Sequence, residues 1–154
     1  MPAILPLWKK MSALPGGKIV FSRMVCLKAP YFASIRPLIT KLDRETCEVR
    51  ISKRRAVTNH LGTVHAIAMC NMAELSGGML TDAVVPGKTH RWIPKGMTVE
   101  YLKKAETDLR AVAHFETPGL PKVAAEVPVL VDVTDTNGQL VFRARIAMWV
   151  SPKK

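Results

Sequence analysis

The segment from residue 64 to residue 80 constrains the fold most strongly. It is the one long helical candidate after the first 30 residues, and it is apolar on nearly every side. Its apolar residues recur at helical spacing, and the pair Gly77-Gly78 predicts its end. Such a helix has to be covered over most of its surface. We therefore expect the remaining chain to supply a sheet that curls around it.

Patterns typical of β-strands stand on both sides of this helix and predict six strands, two before it and four after it. The last two are joined by Asp135-Thr136-Asn137-Gly138, and Asn-Gly is a strong hairpin signal. One helix in a mostly antiparallel sheet is an α+β arrangement. The predicted strands span residues 34–41, 46–53, 97–104, 109–115, 127–133 and 139–150.

The N-terminal segment, residues 1–30, is predicted to be a basic helical extension of a domain that covers residues 31–154. It begins apolar and turns basic only at Lys9, the reverse of a secretory signal. The stretch from Lys18 to Lys28 predicts a short basic amphipathic helix. This helix either packs on the edge of the domain or makes a peripheral contact with a membrane or a partner.

Charge and cysteine content indicate the class of partner and the compartment. The chain holds 23 Lys and Arg against 12 Asp and Glu, and residues 1–42 contain seven cations and no acid. This excess predicts an anionic partner: nucleic acid, acidic lipid or a polyphosphate-bearing small molecule. Nucleic acid is disfavoured because basic and aromatic residues do not interleave. Three scattered cysteines favour a reducing, cytoplasmic location, and no apolar run is long enough to span a membrane.

Candidate chemistry is concentrated between Asn59 and Gly78. Glu74 lies among apolar residues, so it is either a structural carboxylate held by a hydrogen bond or an arginine, or a general base whose pKa is raised by burial. Backbone N–H groups at the helix start, near His65, are suited to stabilising an oxyanion. His60 and His65 also fit capping or core roles. A zinc site that adds Cys70 to these histidines lacks the usual ligand spacing.

This segment resembles the hotdog-fold acyl-CoA thioesterases, most closely the phenylacetate-pathway type. That family has the pattern N-x-x-G-x-x-H-G-G, with the catalytic Asp or Glu nine residues after the histidine. Asn59, Gly62 and His65 match the first three marked positions, and Glu74 stands nine residues after His65. The chain also resembles an uncharacterised branch of the superfamily with H-A-I in place of H-G-G. The resemblance spans residues 31–150 and implies a hotdog fold.

The resemblance also implies a role for each matching residue. Glu74 acts on the thioester as general base or nucleophile, and Asn59 orients the water or the carboxylate from the other subunit. The N–H of Ala66 donates to the oxyanion, while His65 and His60 shape the pocket. The implied assembly is a homodimer or a dimer of dimers, without a resident cofactor or metal. Coenzyme A enters as part of the substrate, and its phosphates are expected to contact Arg54, Arg55, Lys88, His90, Arg91 and Lys95.

Two other functions remain open at this stage. A non-catalytic acyl-CoA or fatty-acyl binding protein would keep the pocket and lose turnover, and Ala66-Ile67 in place of Gly-Gly favours it. A β-hydroxyacyl thioester dehydratase is suggested by the fourteen-residue spacing of His60 and Glu74. The loop after His60 lacks the prolines of that group.

Overall fold

A computed structural model describes residues 4–117, 119–121 and 123–153. The outer limits of the predicted extension and domain, residues 1 and 154, lie outside this range. Two helices precede the first strand, and a third helix separates the second strand from the other four. The elements are α1 (Ile4–Ser12), α2 (Gly17–Lys28), β1 (Leu38–Leu42), β2 (Thr46–Ile51), α3 (Ala66–Val84), β3 (His90–Tyr101), β4 (Leu109–Phe115), β5 (Ala125–Thr134) and β6 (Leu140–Pro152).

The six strands form one antiparallel sheet in the order β1-β2-β4-β5-β6-β3. The sheet curls around α3, which packs against β2, β4, β5 and β6. Alternate residues of β5, from Val127 to Val133, are buried beneath the helix, as the period-two pattern predicts. The predicted α+β hotdog architecture, with one long central helix inside a curled sheet, is confirmed.

Helix α3 continues past the glycine pair, so the predicted end at Gly77-Gly78 is wrong. These glycines permit close packing instead of ending the helix. A Cβ added at Gly77 would lie 2.9 Å from the Cδ1 of Ile146 in the core, and one at Gly78 would lie 3.2 Å from the Trp92 ring. The helix therefore approaches both the sheet floor and β3 more closely than an alanine would allow.

Two predicted strand boundaries are also wrong. Residues 30–35 form a 3-10 helix with Pro30 in its first turn, so β1 begins only at Leu38. Strand β3 begins at His90, seven residues earlier than predicted. Its early part contains Pro94 and Gly96, and the pairing with β6 shifts register between them. An edge strand tolerates these residues because one of its sides needs no partner.

The two edges of the sheet differ in how they are covered. The predicted helix near Lys18–Lys28 is confirmed as α2, and it covers the edge strand β1. Ser22 Oγ accepts the N–H of Ile39 at 2.9 Å, and Lys18 Nζ donates to the carbonyl of Thr40 at 2.9 Å. The opposite edge, β3, pairs only with β6 within the described chain. One edge is thus protected and the other is available for association.

Candidate functional site

The Glu74 carboxylate lies on an exposed seam of α3. Ile67 and Glu74 lie seven residues apart on one side of the helix, and both are exposed, whereas Gly78, one turn further on, faces the Trp92 ring of β3. Glu74 is exposed and forms no ion pair within the described residues. The expectation that the chain buries this carboxylate is therefore wrong, because its apolar sequence neighbours point to the other sides of the helix.

The N-terminus of α3 is capped by His65. The His65 Nδ1 accepts the N–H of Ile67 at 3.0 Å, so the ring satisfies one of the unpaired amides of the first turn. Ala66 is the first residue of α3, so its N–H lies before the first backbone hydrogen bond of the helix. No described residue accepts this N–H. One amide donor is thus left at the position where the resemblance implies an oxyanion.

The loop before α3 is held by Asn59. Its Oδ1 accepts the N–H groups of Leu61 and Thr63 at 3.0 and 3.2 Å, and its Nδ2 donates to Thr63 Oγ1 at 2.9 Å. Gly62 closes the turn with φ 74°. Asn59 therefore fixes the loop shape in the single chain, while the His60 side chain is exposed.

A pocket of about 170 Å³ opens beside the start of α3. Two of its polar residues are bonded to each other: Asn71 Nδ2 donates to Ser34 Oγ at 3.1 Å. Asn71 is 6% exposed, and its Oδ1 is buried without a partner among the described residues. The pocket lies against the helix terminus that carries the free Ala66 amide. Its lining consists of Tyr31, Ser34, Ile35, Ala56, Val57, Thr58, His65, Ile67, Ala68 and Asn71.

A larger pocket, of about 450 Å³, lies on the outer side of the sheet, away from α3. It includes Arg50 and Arg110, but both arginines pair with Glu48, at 3.1 and 2.6 Å. Together with Thr40, they hold the pKa of Glu48 down at about 2, chiefly through the Arg110 hydrogen bond. This cluster stabilises the outer sheet and has no contact with the candidate site.

Two side-chain hydrogen bonds join α3 to the edge strand β3, and neither was predictable from the sequence. Cys70 Sγ lies 3.4 Å from Tyr101 Oη, and this hydrogen bond raises the pKa of Tyr101 to about 12. Trp92 Nε1 donates to the Asp82 carboxylate at 2.7 Å. The Trp92 hydrogen bond lowers the pKa of Asp82, but desolvation by burial has the larger effect, so the pKa is raised overall. The partners are 31 and 10 residues apart in the chain, so only the fold brings them together.

The six cations expected to bind coenzyme A fall into two groups at opposite ends of α3. Arg54 and Arg55 lie before the helix, and Arg54 Nη2 donates to the Ser34 carbonyl at 2.6 Å. The second group follows the helix, at the start of β3. The two groups are thus divided in the chain by the 19 residues of α3. The second group comprises Lys88, His90, Arg91 and Lys95.

The described residues offer neither a metal centre nor a membrane-spanning helix. They contain no cluster of three or more His, Cys, Asp or Glu that could hold a metal ion. None of their helices has the length and apolar character needed to cross a membrane.

Comparisons with known proteins identify the family. Residues 17–150 match the model of a protein family that is described as a domain of unknown function (DUF4442). The chain belongs to this family. The structural-genomics protein APC5556, known from its crystal structure, is 43% identical and has a TM-score of 0.82. The match covers 97% of this chain and 99% of that protein. No curated protein matches the sequence.

More distant solved structures share the fold. A thioesterase from Pseudomonas aeruginosa, solved as a mutant, is 16% identical with a TM-score of 0.76, and the match covers 88% of this chain and 94% of that one. A thioesterase from Haemophilus influenzae is 12% identical with a TM-score of 0.75, covering 87% and 90%. At these identities the likeness shows a common hotdog fold.

Proposed function

We propose that this protein hydrolyses an acyl-CoA thioester at a site built from two copies of the chain. The observation that carries the proposal is the position of Glu74 on an exposed α3 seam, two helical turns from the free Ala66 amide. Both groups stand at positions that match the hotdog thioesterase motif. In the proposed site, the carboxylate comes from one copy of the chain and the amide from the other. The thioesterases that share this fold support the same reaction class.

The open edge of the sheet supports a two-fold dimer. Strand β3 exposes Ile93, Met97 and Tyr101, and it runs beside the seam that carries Glu74. In the proposed dimer the β3 edges pair and the α3 helices cross antiparallel. Residue 70 lies midway between residues 66 and 74. A two-fold axis close to Cys70 therefore places the partner's Ala66 opposite Glu74.

Hydrolysis then follows from the two groups. The Glu74 carboxylate takes a proton from water, and the water oxygen adds to the thioester carbonyl carbon. The carbonyl oxygen becomes an oxyanion that accepts the N–H of the partner's Ala66. When the oxyanion collapses, the carbon–sulfur bond breaks, and the thiolate leaves with the proton from Glu74. Asn59 holds the loop next to this amide, while His65 and His60 border the entrance.

The same two-fold arrangement brings the separated cations together. Because the α3 helices of the proposed dimer are antiparallel, the loop before α3 in one copy, with Arg54 and Arg55, lies towards the segment that follows α3 in the partner. In this proposal both cation groups form one rim for the phosphates of coenzyme A. The pocket beside His65 receives the part of the substrate next to the thioester.

Thiol release from short, medium, long and aryl acyl-CoA substrates tests the function. Wild type is expected to release thiol from at least one class, and Glu74→Gln is expected to lose about 10²–10⁴-fold in kcat. The matched control is Glu45→Gln, another exposed carboxylate, which is expected to keep full activity. Equal turnover in the Glu74→Gln variant would exclude the catalytic assignment.

Binding without turnover is the second candidate, and one contact favours it. The His65 ring occupies the Ile67 amide, so that amide is not available as a second oxyanion donor beside Ala66. If no acyl-CoA releases thiol while acyl-CoA still binds to the dimer, the protein is an acyl-CoA binding protein.

A further inference from the structure

Helix α2 exposes an apolar face that the fold leaves uncovered. Ile19, Val20 and Leu27 are 50%, 57% and 84% exposed, and with Arg23 they lie on one side of the helix. The opposite side carries Phe21 and the buried hydroxyl of Ser22. One face of α2 therefore packs on the domain, and the other face stays exposed and can contact a partner. We call Ile19, Val20, Arg23 and Leu27 the α2 face.

The charged residues that α1 and α2 themselves carry are all basic. Residues 4–42 contain no acid, Lys9 and Lys10 lie in the last turn of α1, and Arg23 lies within the α2 face itself. Lys28 is not counted, because it lies near Asp82 and lowers the pKa of that carboxyl. The surroundings therefore attract anions and repel other cationic surfaces, including a second copy of the same face.

We propose that the α2 face docks on an anionic lipid surface. Aliphatic side chains flanked by Lys and Arg are the composition of helices that lie in the plane of a membrane interface. Ile19, Val20 and Leu27 enter the boundary between headgroups and acyl chains, and the cations contact anionic headgroups. Nucleic acid would neutralise the cations but leave the three aliphatic side chains in water.

The α2 face also leads towards the pocket at the start of α3. Tyr31 lies three residues after the end of α2, is 70% exposed, and lines that pocket together with Ile67. A membrane bound along α2 therefore lies near the pocket entrance. The proposal does not depend on hydrolysis, since vesicle binding requires no turnover.

Co-sedimentation of the protein with vesicles tests the proposal. Wild type is expected to bind vesicles that contain phosphatidylserine, to bind phosphatidylcholine vesicles at least about tenfold more weakly, and to lose affinity as salt is raised. The double variant Ile19→Ser/Leu27→Ser is expected to weaken binding about tenfold. The matched apolar control is Val123→Ser, which changes a 71% exposed residue outside the face. Arg23→Glu is compared with Lys104→Glu, an exposed cation elsewhere.

Three results would overturn the proposal. The first is no retention of wild type on phosphatidylserine vesicles. The second is equal retention of the Ile19→Ser/Leu27→Ser variant and wild type. The third is a smaller particle size by light scattering for that variant without lipid, which would show that the α2 face joins two copies of the chain.

Discussion

The Ala66 amide and the Glu74 carboxylate belong to one helix but lie eight residues apart. At 1.5 Å per residue, about 12 Å of helix axis separates their backbones. A reacting carbonyl has to lie about 3 Å from both an oxyanion donor and the attacking water. The proposed dimer brings the Glu74 carboxylate of one copy opposite the Ala66 amide of the other, so that one thioester can contact both groups.

The Ala66 amide can be removed without removing the helix. Ala66→Pro deletes the N–H at the first helical position, where proline is well tolerated, and His65 already has the extended backbone (ψ 140°) that a following proline requires. We expect kcat for thiol release to fall about 10²–10³-fold with little change in thermal unfolding. Ala66→Ser keeps the N–H and is the control. Normal turnover in the proline variant would show that the Ala66 amide takes no part in catalysis.

The β3 edge is expected to hold the dimer together. The double variant Ile93→Lys/Met97→Lys places two like charges on each facing strand and should weaken dimerisation by at least about tenfold. Size-exclusion chromatography with light scattering measures the change, and the hydrolytic rate should fall with the dimer fraction. Val123→Lys tests the effect of added charge alone. A dimer that survives the double substitution would place the interface elsewhere.

The Glu48 cluster predicts an acid-sensitive contribution to stability. The pKa of Glu48 is lowered from 4.5 to about 2, so its ion pairs contribute fully above about pH 4.5 and are lost as pH falls through 2. Arg50 and Arg110 are about half exposed, which screens the pair. Glu48→Gln should therefore lower the free energy of unfolding by about 1–2 kcal/mol at neutral pH and by almost nothing near pH 2. Urea unfolding at both pH values measures this difference, with Glu45→Gln as control. A constant difference would contradict the ion-pair account.

The fold was predictable because its signals are local. Six strands, a central helix and the hairpin at Asn137-Gly138 follow from periodicity and turn chemistry alone. The end of α3 was not predictable, because Gly77 and Gly78 are explained by contacts with Ile146 and Trp92, which are distant in the chain.

The candidate site was predictable only in part. The motif spacing located Glu74 and Ala66, but their surroundings depend on how the chain folds. Cys70 and Tyr101 meet through the pairing of β3 with the sheet, and the exposure of Glu74 depends on which side of α3 the sheet covers. Asn59 was expected to face the reaction, and its hydrogen bonds within the loop were not visible in the motif.

Mixed dimers of two inactive variants test the central claim most directly. Glu74→Gln and Ala66→Pro chains are unfolded, mixed in equal amounts, refolded and assayed for thiol release. If each site takes Glu74 from one copy and Ala66 from the other, half of the dimers are mixed and each has one intact site, so about a quarter of wild-type activity returns. If the two groups act within one chain, no mixed dimer has an intact site. Activity that stays at the level of the separate variants would contradict the shared site.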